Sequence, residues 1–434
     1  METGMISVDR WSEGSQAYFL THLHADHTSG LTPTWKWGPL FCSRLTAKLF
    51  PMKFPGFKLS LLKILDLGNW YSLSLVSPSS GLPTAVQVMA IDANHCPGAV
   101  MYLFRGEFGS MLYTGDFRWE KRSQRAQIAR TMLLNALKNE KLDTLHLDNT
   151  YCHPSYSFPS RNAAARQVAN IIHSHPNHDI VIGIDSLGKE DLLFYISRLL
   201  KMKIWVWPER LQTMHLLGFL DNFTTKTSLT RVRAIPRYSF NMETLQALNT
   251  MRPTIGIMPS GLPWAAKYCK TKGNIFGPSP STCSKKMTNG DLVFERYDEY
   301  TYSVPYSDHS CFFEIKEFVE LLQPSNIKGI VSSSECFIEP QYYFGHFCGK
   351  KHDSRKLYHK FCDEEGDERF KGVRIQSPSK VNCNMSQRKR RKKEAGISSS
   401  RVNRVSLLRR MRRGIKIADA DNESIPEKLH FFSV

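Results

Sequence analysis

None of the ten cysteines stands in a C-x-x-C pair. A disulfide framework and a zinc ribbon are therefore not indicated, and scattered thiols of this kind are expected to be mostly buried. No apolar run reaches the roughly 18 residues that a membrane span needs. The first ten residues, Met1 to Arg10, lack a basic stretch followed by a long apolar one, so no secretory signal is visible. No internal repeat is evident. Acids are scarce relative to bases: 40 Asp and Glu stand against 58 Lys and Arg, a formal charge of +18. This balance favours a polyanionic partner. Much of the excess sits between residues 384 and 414, where twelve Lys/Arg face one acid, Glu394. Within it, Arg388-Lys389-Arg390-Arg391-Lys392-Lys393 reads as a nuclear-import signal or a nucleic-acid-binding tail. At 434 residues with 41% hydrophobic content, the chain can bury one large domain or two.

The densest chemistry lies near the start. His22-Leu23-His24-Ala25-Asp26-His27 follows Ala17-Tyr18-Phe19-Leu20, which reads as a buried strand. His22 and His24 are two apart, so in extended chain they project to one side. Asp26 and His27 are adjacent, so they point apart and suit a second metal beside the first. Imidazole with carboxylate is the ligand set of zinc, manganese or iron rather than calcium.

Further residues of the same type fall at predicted strand ends. Ile6-Ser7-Val8 ends in Asp9. Gln87 to Asp92 runs into a Pro/Gly turn that carries His95. Met111 to Thr114 ends at Gly115-Asp116, and Leu145 to Leu147 at Asp148. Loops at one sheet edge commonly assemble an active site in this way. After residue 152 the pattern becomes β-α-β. Helices are expected at 161–173 and 190–200, and strands at 180–184 and 204–206, as in a small α/β domain with parallel strands. Residues 270–290 read as a loop. Strand 302–304 leads to Pro305-Tyr306-Ser307-Asp308-His309-Ser310, then to a helix from 312 to 322 and a strand at 329–331. Two other histidine groups, His173/His175/His178 and His346/His352, read as surface loops rather than ligands.

The stretches around Asp9, His22-x-His24-x-Asp26-His27, Asn94-His95-Cys96-Pro97-Gly98-Ala99, Tyr113-Thr114-Gly115-Asp116-Phe117-Arg118, Asp148-Asn149-Thr150-Tyr151 and Ser307-Asp308-His309 together resemble the metallo-β-lactamase/β-CASP DNA-repair nucleases. The resemblance covers roughly residues 1–350. It implies an α/β fold: an αβ/βα sandwich with a first part over 1–152 and a second over 303–350, a β-CASP α/β domain inserted at 153–302, and a basic tail without order at 375–434. It implies that His22, His24 and His95 hold a first metal, that Asp26, His27 and His309 hold a second, and that Asp116 bridges them. Asp9 and Asp148 match acids that support the site. The cofactor implied is Zn2+, one ion or two, with Mg2+ or Mn2+ as alternatives in the second position. Val331 falls where the DNA-directed branch has an apolar residue and the RNA-cleaving branch a histidine.

The expected activity is 5′-to-3′ exonuclease action on 5′-phosphorylated DNA in cross-link and double-strand-break repair, with telomere-end maintenance as a further family role. The alternatives are a structure-specific endonuclease and a non-catalytic DNA-end-binding scaffold. Ser186, Gly188 and Lys189 follow a buried strand and open a helix, a turn suited to phosphate. In the 5′-exonuclease members a comparable turn resembles part of a 5′-phosphate pocket, and Ser260 lies near a related position. Pro259-Ser260-Gly261-Leu262-Pro263-Trp264 departs from the family pattern by displacing the tryptophan, and Asp185 stands where relatives carry tyrosine. The implied partner is DNA, alongside repair or telomere proteins. The implied location is the nucleus, and a monomer is the default.

Overall fold

The computed structural model describes residues 4–138, 140–261, 286–289, 292–296, 300–331, 339–348 and 414–417. The basic run 388–393, His352 and Trp264 lie outside them. Among the described residues three sheets form. The first begins with four parallel strands: β1 (Gly4–Val8), β2 (Ser15–Phe19), β3 (Leu40–Ser43) and β4 (Leu62–Leu65). Helix α1 (Arg44–Lys53) starts where the Ser43 hydroxyl accepts the Thr46 N–H, satisfying one of the donors that a helix start leaves open.

The second sheet runs through β5 (Trp70–Val76), β6 (Pro83–Asp92), β7 (Val100–Gly106) and β8 (Gly109–Tyr113), all antiparallel. Helix α2 (Gln124–Leu137) then leads to β9 (Thr144–Leu147), parallel to β8. Strand β6 alternates exposed and buried over its first half and is buried continuously from Val88 to Ile91, as expected where a sheet passes from one covered face to two. The inward faces of the two sheets meet in one apolar cluster: Ile6, Val8, Phe19 and Phe41 from the first, Val88, Tyr102, Phe104 and Tyr113 from the second. Their outer faces pack under helices in another cluster. This is the αβ/βα sandwich expected from the sequence.

The inserted segment builds the third sheet. It contains α3 (Arg161–Ser174), β10 (Asp179–Ile184), α4 (Glu190–Leu200), β11 (Ile204–Trp205), α5 (Pro208–Leu216), β12 (Phe223–Thr224), β13 (Val232–Pro236), α6 (Met242–Met251), β14 (Thr254–Pro259), β15 (Lys286–Asn289), β16 (Leu292–Arg296) and β17 (Thr301–Val304). The order is β12-β11-β13-β10-β14-β17-β16-β15, parallel except at the last two pairings. Its core is Val168, Ile182, Leu192, Ile196, Ile204 and Ile257.

Four expectations need correction. Strand β17 completes the inserted sheet by pairing with β14, so the sheet border falls after Val304 rather than between 302 and 303. Residues 286–289, read as loop, are strand β15, whose partner β16 supplies a neighbour that no local pattern shows. The strand expected at 329–331 lies earlier: after α7 (Phe312–Leu322), strand β18 (Asn326–Gly329) pairs with β9. Val331 instead exchanges two hydrogen bonds with the Asn149 side chain and is buried. Helix α8 (Pro340–Phe344) closes the second half. Within the stretch read as an unordered tail, β19 (Ile415–Ile417) pairs antiparallel with β1 and extends the first sheet. Among the described residues no helix is long and apolar enough to cross a membrane.

Candidate metal centre

Six loops deliver side chains to one edge of the sandwich, each just past a strand. Asp9 follows β1, His22 to His27 follow β2, His95 follows β6, Asp116 follows β8, Asp148 follows β9 and His309 follows β17. The backbone makes room locally. Gly115 has φ +52°, and a Cβ there would meet Thr21 at 2.8 Å. Asp9 and Asn94 also adopt positive φ, a conformation that Asp and Asn accept more readily than most residues.

Asp116 sits at the centre. Its Oδ2 lies 3.8 Å from His22 Nε2 and 3.7 Å from both His95 Nε2 and His309 Nε2. Its Oδ1 lies 3.2 Å from His27 Nε2. Asp26 Oδ2 is 4.0 Å from His27 Nε2 and is the exposed member of the group. His24 Nδ1 stands 3.0 Å from His22 Nε2 and 3.1 Å from His95 Nε2.

The outward nitrogen of every imidazole is tied down. His27 Nδ1 is 2.6 Å from Asp9 and His309 Nδ1 is 2.7 Å from Asp148. His95 Nδ1 is 2.7 Å from the Asp308 carbonyl, and His24 Nε2 is 3.0 Å from the Leu187 carbonyl. Carbonyls and carboxylates only accept, so these four nitrogens carry the protons. His22 Nδ1 lies 3.0 Å from Thr21 Oγ1, whose own hydrogen goes to Asp9 Oδ2 at 2.7 Å. Thr21 therefore accepts from His22. In the neutral rings, all five inward nitrogens are bare lone pairs.

Lone pairs brought to 3.0 Å repel one another unless a cation lies among them. Tetrahedral zinc with Zn–N bonds of about 2.0–2.1 Å places its nitrogens about 3.3 Å apart. His27 Nε2 is buried and makes no hydrogen bond. Burial, reinforced by the neighbouring imidazoles, lowers His22 well below its ordinary value, and burial with His309 lowers His95 to about 3. Both are neutral, as metal ligands must be. Burial also opposes charge on His27, but Asp116 and Asp9 outweigh it and raise the metal-free ring to about 10; a bound cation between the same carboxylates takes the place of that proton. The residues thus fit a metal. Three mutually close groups stand out: His22/His24/His95 with Cys96, His22/His27/Asp116, and His95/Asp116/His309. Burial pushes the Cys96 thiol well up, so that sulfur stays protonated. The other histidine groups, as far as they are described, form no such cluster; His175 hydrogen-bonds the Ile171 carbonyl and faces Tyr302.

These features agree with what comparison with known proteins finds. A family profile described as "DNA repair metallo-beta-lactamase" matches residues 219–335. The chain is 37% identical over 342 residues to "5' exonuclease Apollo" of Gallus gallus, covering 78% of this chain and 64% of that one. It is 36% identical to "5' exonuclease Apollo" of Danio rerio, covering 76% and 51%. To "DNA cross-link repair protein SNM1" of Arabidopsis thaliana it is 33% identical, covering 73% and 60%. The resemblance to the metallo-β-lactamase/β-CASP DNA-repair family is thus matched by a family profile and by relatives along about three quarters of the chain. The chain spans between half and two thirds of the length of these relatives. Similarity to DNA-repair metallo-β-lactamases implies metal ions, and the His/Asp groups described above are able to hold them.

The second group of expected residues lies beside the metal site, on the inserted domain. The turn after β10 touches the centre through the Leu187 carbonyl on His24. Ser186 is exposed. The Gly188 N–H donates to the Glu190 carboxylate at 2.9 Å, and Lys189 Nζ lies between Asp185 at 3.1 Å and Asp308 at 3.0 Å. Burial disfavours all three charges, yet their attraction holds Lys189 up and both aspartates down. The donors expected to face a phosphate at Gly188 and Lys189 are therefore already engaged. Ser260 Oγ accepts from Arg237 at 2.8 Å, and Arg237 is 3.7 Å from Asp185. Arg237 was not singled out from sequence, nor was Arg210, a buried residue whose guanidinium donates to the Ser186 and Gly188 carbonyls. A lone arginine in the inserted domain carries no local mark of either role.

Proposed function

We propose that this protein is a zinc-dependent 5′-to-3′ exodeoxyribonuclease acting on 5′-phosphorylated DNA ends in the nucleus, in the repair of interstrand cross-links and double-strand breaks and in the maintenance of telomere ends. DNA-repair proteins are its expected partners, and it acts as a monomer. The observation that carries this reading is the set of five inward imidazole nitrogens around Asp116, each ring fixed from behind. His22, His24 and His95 hold one zinc ion. Asp26, His27 and His309 hold a second (Mg2+ or Mn2+ being alternatives there), and Asp116 joins both. Bound metal supplies an acidified water and neutralises charge on the phosphodiester. Asp9 and Asp148 keep His27 and His309 in the ligating tautomer. Asp26, exposed at the rim beside His27, would complete the second position on the side open to substrate.

The 5′ phosphate is received beside Leu187. Ser186 and Ser260 offer hydroxyls there, Arg237 a partly exposed guanidinium, and Gly188 and Lys189 set the shape of the turn. The basic surplus of the chain favours binding of DNA, so turnover falls as salt rises. The test is digestion of a 3′-labelled single strand bearing either a 5′ phosphate or a 5′ hydroxyl, with and without chelator. Stepwise loss from the phosphorylated strand alone, stopped by chelator, is the expected result. Internal cutting of both strands supports the structure-specific endonuclease, and chelator-insensitive binding without cutting supports the scaffold. The resident metal is identified by mass spectrometry of the purified protein.

A further inference from the structure

Arg118 is one of the largest fully buried side chains, 1% exposed, and its surroundings are unusual for a charge. One carboxylate faces it: Nε lies 3.0 Å from Glu314 Oε2. The remaining partners are backbone carbonyls. Nη1 donates to Ser307 at 2.9 Å and to His309 at 3.4 Å, and Nη2 donates to Pro159 at 3.2 Å. The Arg118 backbone is tied as well. Its N–H donates to the Ala93 carbonyl at 2.9 Å, and its own carbonyl accepts from the Asn94 side chain at 3.1 Å.

One residue therefore joins three stretches that are far apart in sequence. They are the loop before His95, the entrance to α3 of the inserted domain, and the segment that runs from Ser307 through His309 into the first turn of α7 at Glu314. The loop of His309 arrives only after the whole insertion has been traversed. Beyond the Asp148 contact to the ring, its backbone is set by Ser307 and by Arg118. A planar, forked cation with five donors can hold three carbonyls and a carboxylate at once; an ammonium group, with three donors from one nitrogen, cannot.

We propose that Arg118 is a positioning residue: by gripping the Ser307 and His309 carbonyls it delivers His309 to the metal centre, and by gripping Pro159 it couples that delivery to the seating of the inserted domain. This rests on the reading that His309 is a ligand of the second metal. Asp116 stands two residues before Arg118, so the strand-end loop that carries the bridging carboxylate also fixes the one ligand that comes from beyond the insertion.

The experiment measures metal per protein by mass spectrometry after equilibration in buffered zinc, for the wild type, Arg118→Gln, Arg118→Lys and His309→Ala, with circular dichroism to establish folding. Cobalt substitution adds a visible spectrum for each position. Arg118→Gln is expected to keep one tightly held ion and to bind the second roughly ten- to a hundredfold more weakly, the usual effect of losing a group that orients a ligand. Its activity returns as metal is raised, which damage to the fold would not allow. Arg118→Lys is expected to show the same selective loss to a smaller degree, and it carries the test if Arg118→Gln does not fold. Wild-type affinity at both positions in either folded arginine variant overturns the proposal, as does equal weakening of both positions. If His309→Ala itself loses no metal, or the wild type holds only one ion, the reading of the second position fails instead. If His309→Ala loses one ion while the arginine variants lose none, that reading stands and the role of Arg118 falls.

Discussion

The two metal positions proposed for this protein differ in what stands behind their imidazoles. Behind His22, His24 and His95 are neutral oxygens: the Thr21 hydroxyl and the carbonyls of Leu187 and Asp308. Behind His27 and His309 are the carboxylates of Asp9 and Asp148. A carboxylate makes the ring more basic and a better ligand, and it gives the neutral ring a fixed tautomer. A carbonyl fixes the tautomer with less electronic effect. Three rings share the first position, while the second has two rings and the exposed Asp26. On the proposed assignment, the anionic support stands where fewer imidazoles and an exposed carboxylate are present.

The strongest way to break this comparison is to remove what the positions share. Asp116→Ala is expected to empty both and to lower DNA hydrolysis by about 10³-fold or more, the equivalent of about 4 kcal/mol in barrier. Metal content and single-turnover rates check it. Next, Asp9→Asn and Asp148→Asn remove only the anionic support. Each is expected to weaken the second position roughly ten- to a hundredfold and to leave the first unchanged, as read by metal titration; equal losses at both positions would erase the distinction drawn here. Thr21→Val sharpens it further. The hydroxyl serves His22 and Asp9 together, so this variant should cost about 1–3 kcal/mol of stability in a urea titration and weaken both positions slightly.

The smallest effect lies away from the site. His146, on β9, is lowered to about 4 by burial and by Lys328. The unfolded chain gains this proton near the ordinary value of 6.5, whereas the folded chain gains it only near 4. The stability tied to His146 is complete above about pH 6.5 and is lost as pH falls toward 4. At about 1.4 kcal/mol per unit this reaches at most about 3 kcal/mol. Urea midpoints between pH 7 and pH 4.5 should fall less steeply in His146→Gln.

The strands that lead to Asp9, His22, His95, Asp116 and Asp148 were legible in the sequence because each short apolar run ends at a turn and a chemically marked residue; β5 (Trp70–Val76), which ends at no such residue, was not read. The first four helix and strand elements of the insertion were legible too, from apolar spacing such as Leu192, Leu193 and Ile196 on α4. What could not be read is what depends on distant backbone. The carbonyls of Leu187 and Asp308 carry no side-chain signature, yet they set the tautomers of His24 and His95. Arg118 was visible only as part of a motif, since its partners lie some two hundred residues away. Lys189 shows the same limit: as a lysine at a helix start it suggests a phosphate ligand, and its pairing with Asp185, four residues before it, and with the distant Asp308 carries no mark in the motif. Strand β15 lay hidden because its partner, rather than its own composition, makes it a strand.

Strand β19 has a consequence for the chain as a polymer. Ile415, Lys416 and Ile417 lie against Val8, Ser7 and Ile6, and a side chain at Gly414 would collide with the Asp9 carbonyl. Backbone pairing beside Asp9 thus clasps the far end of the chain to its beginning and shuts nearly everything between into one loop. The entropy cost of closing such a loop grows only with the logarithm of its length, so a three-residue clasp faces little more opposition than it would across a loop a fraction as long. While it is shut, β1 has hydrogen-bonded neighbours on both sides. The β1 amide protons that face β19 then exchange with solvent at a rate set by how often the clasp opens, which makes isotope exchange at those positions between Ile6 and Val8 a direct clock for that opening.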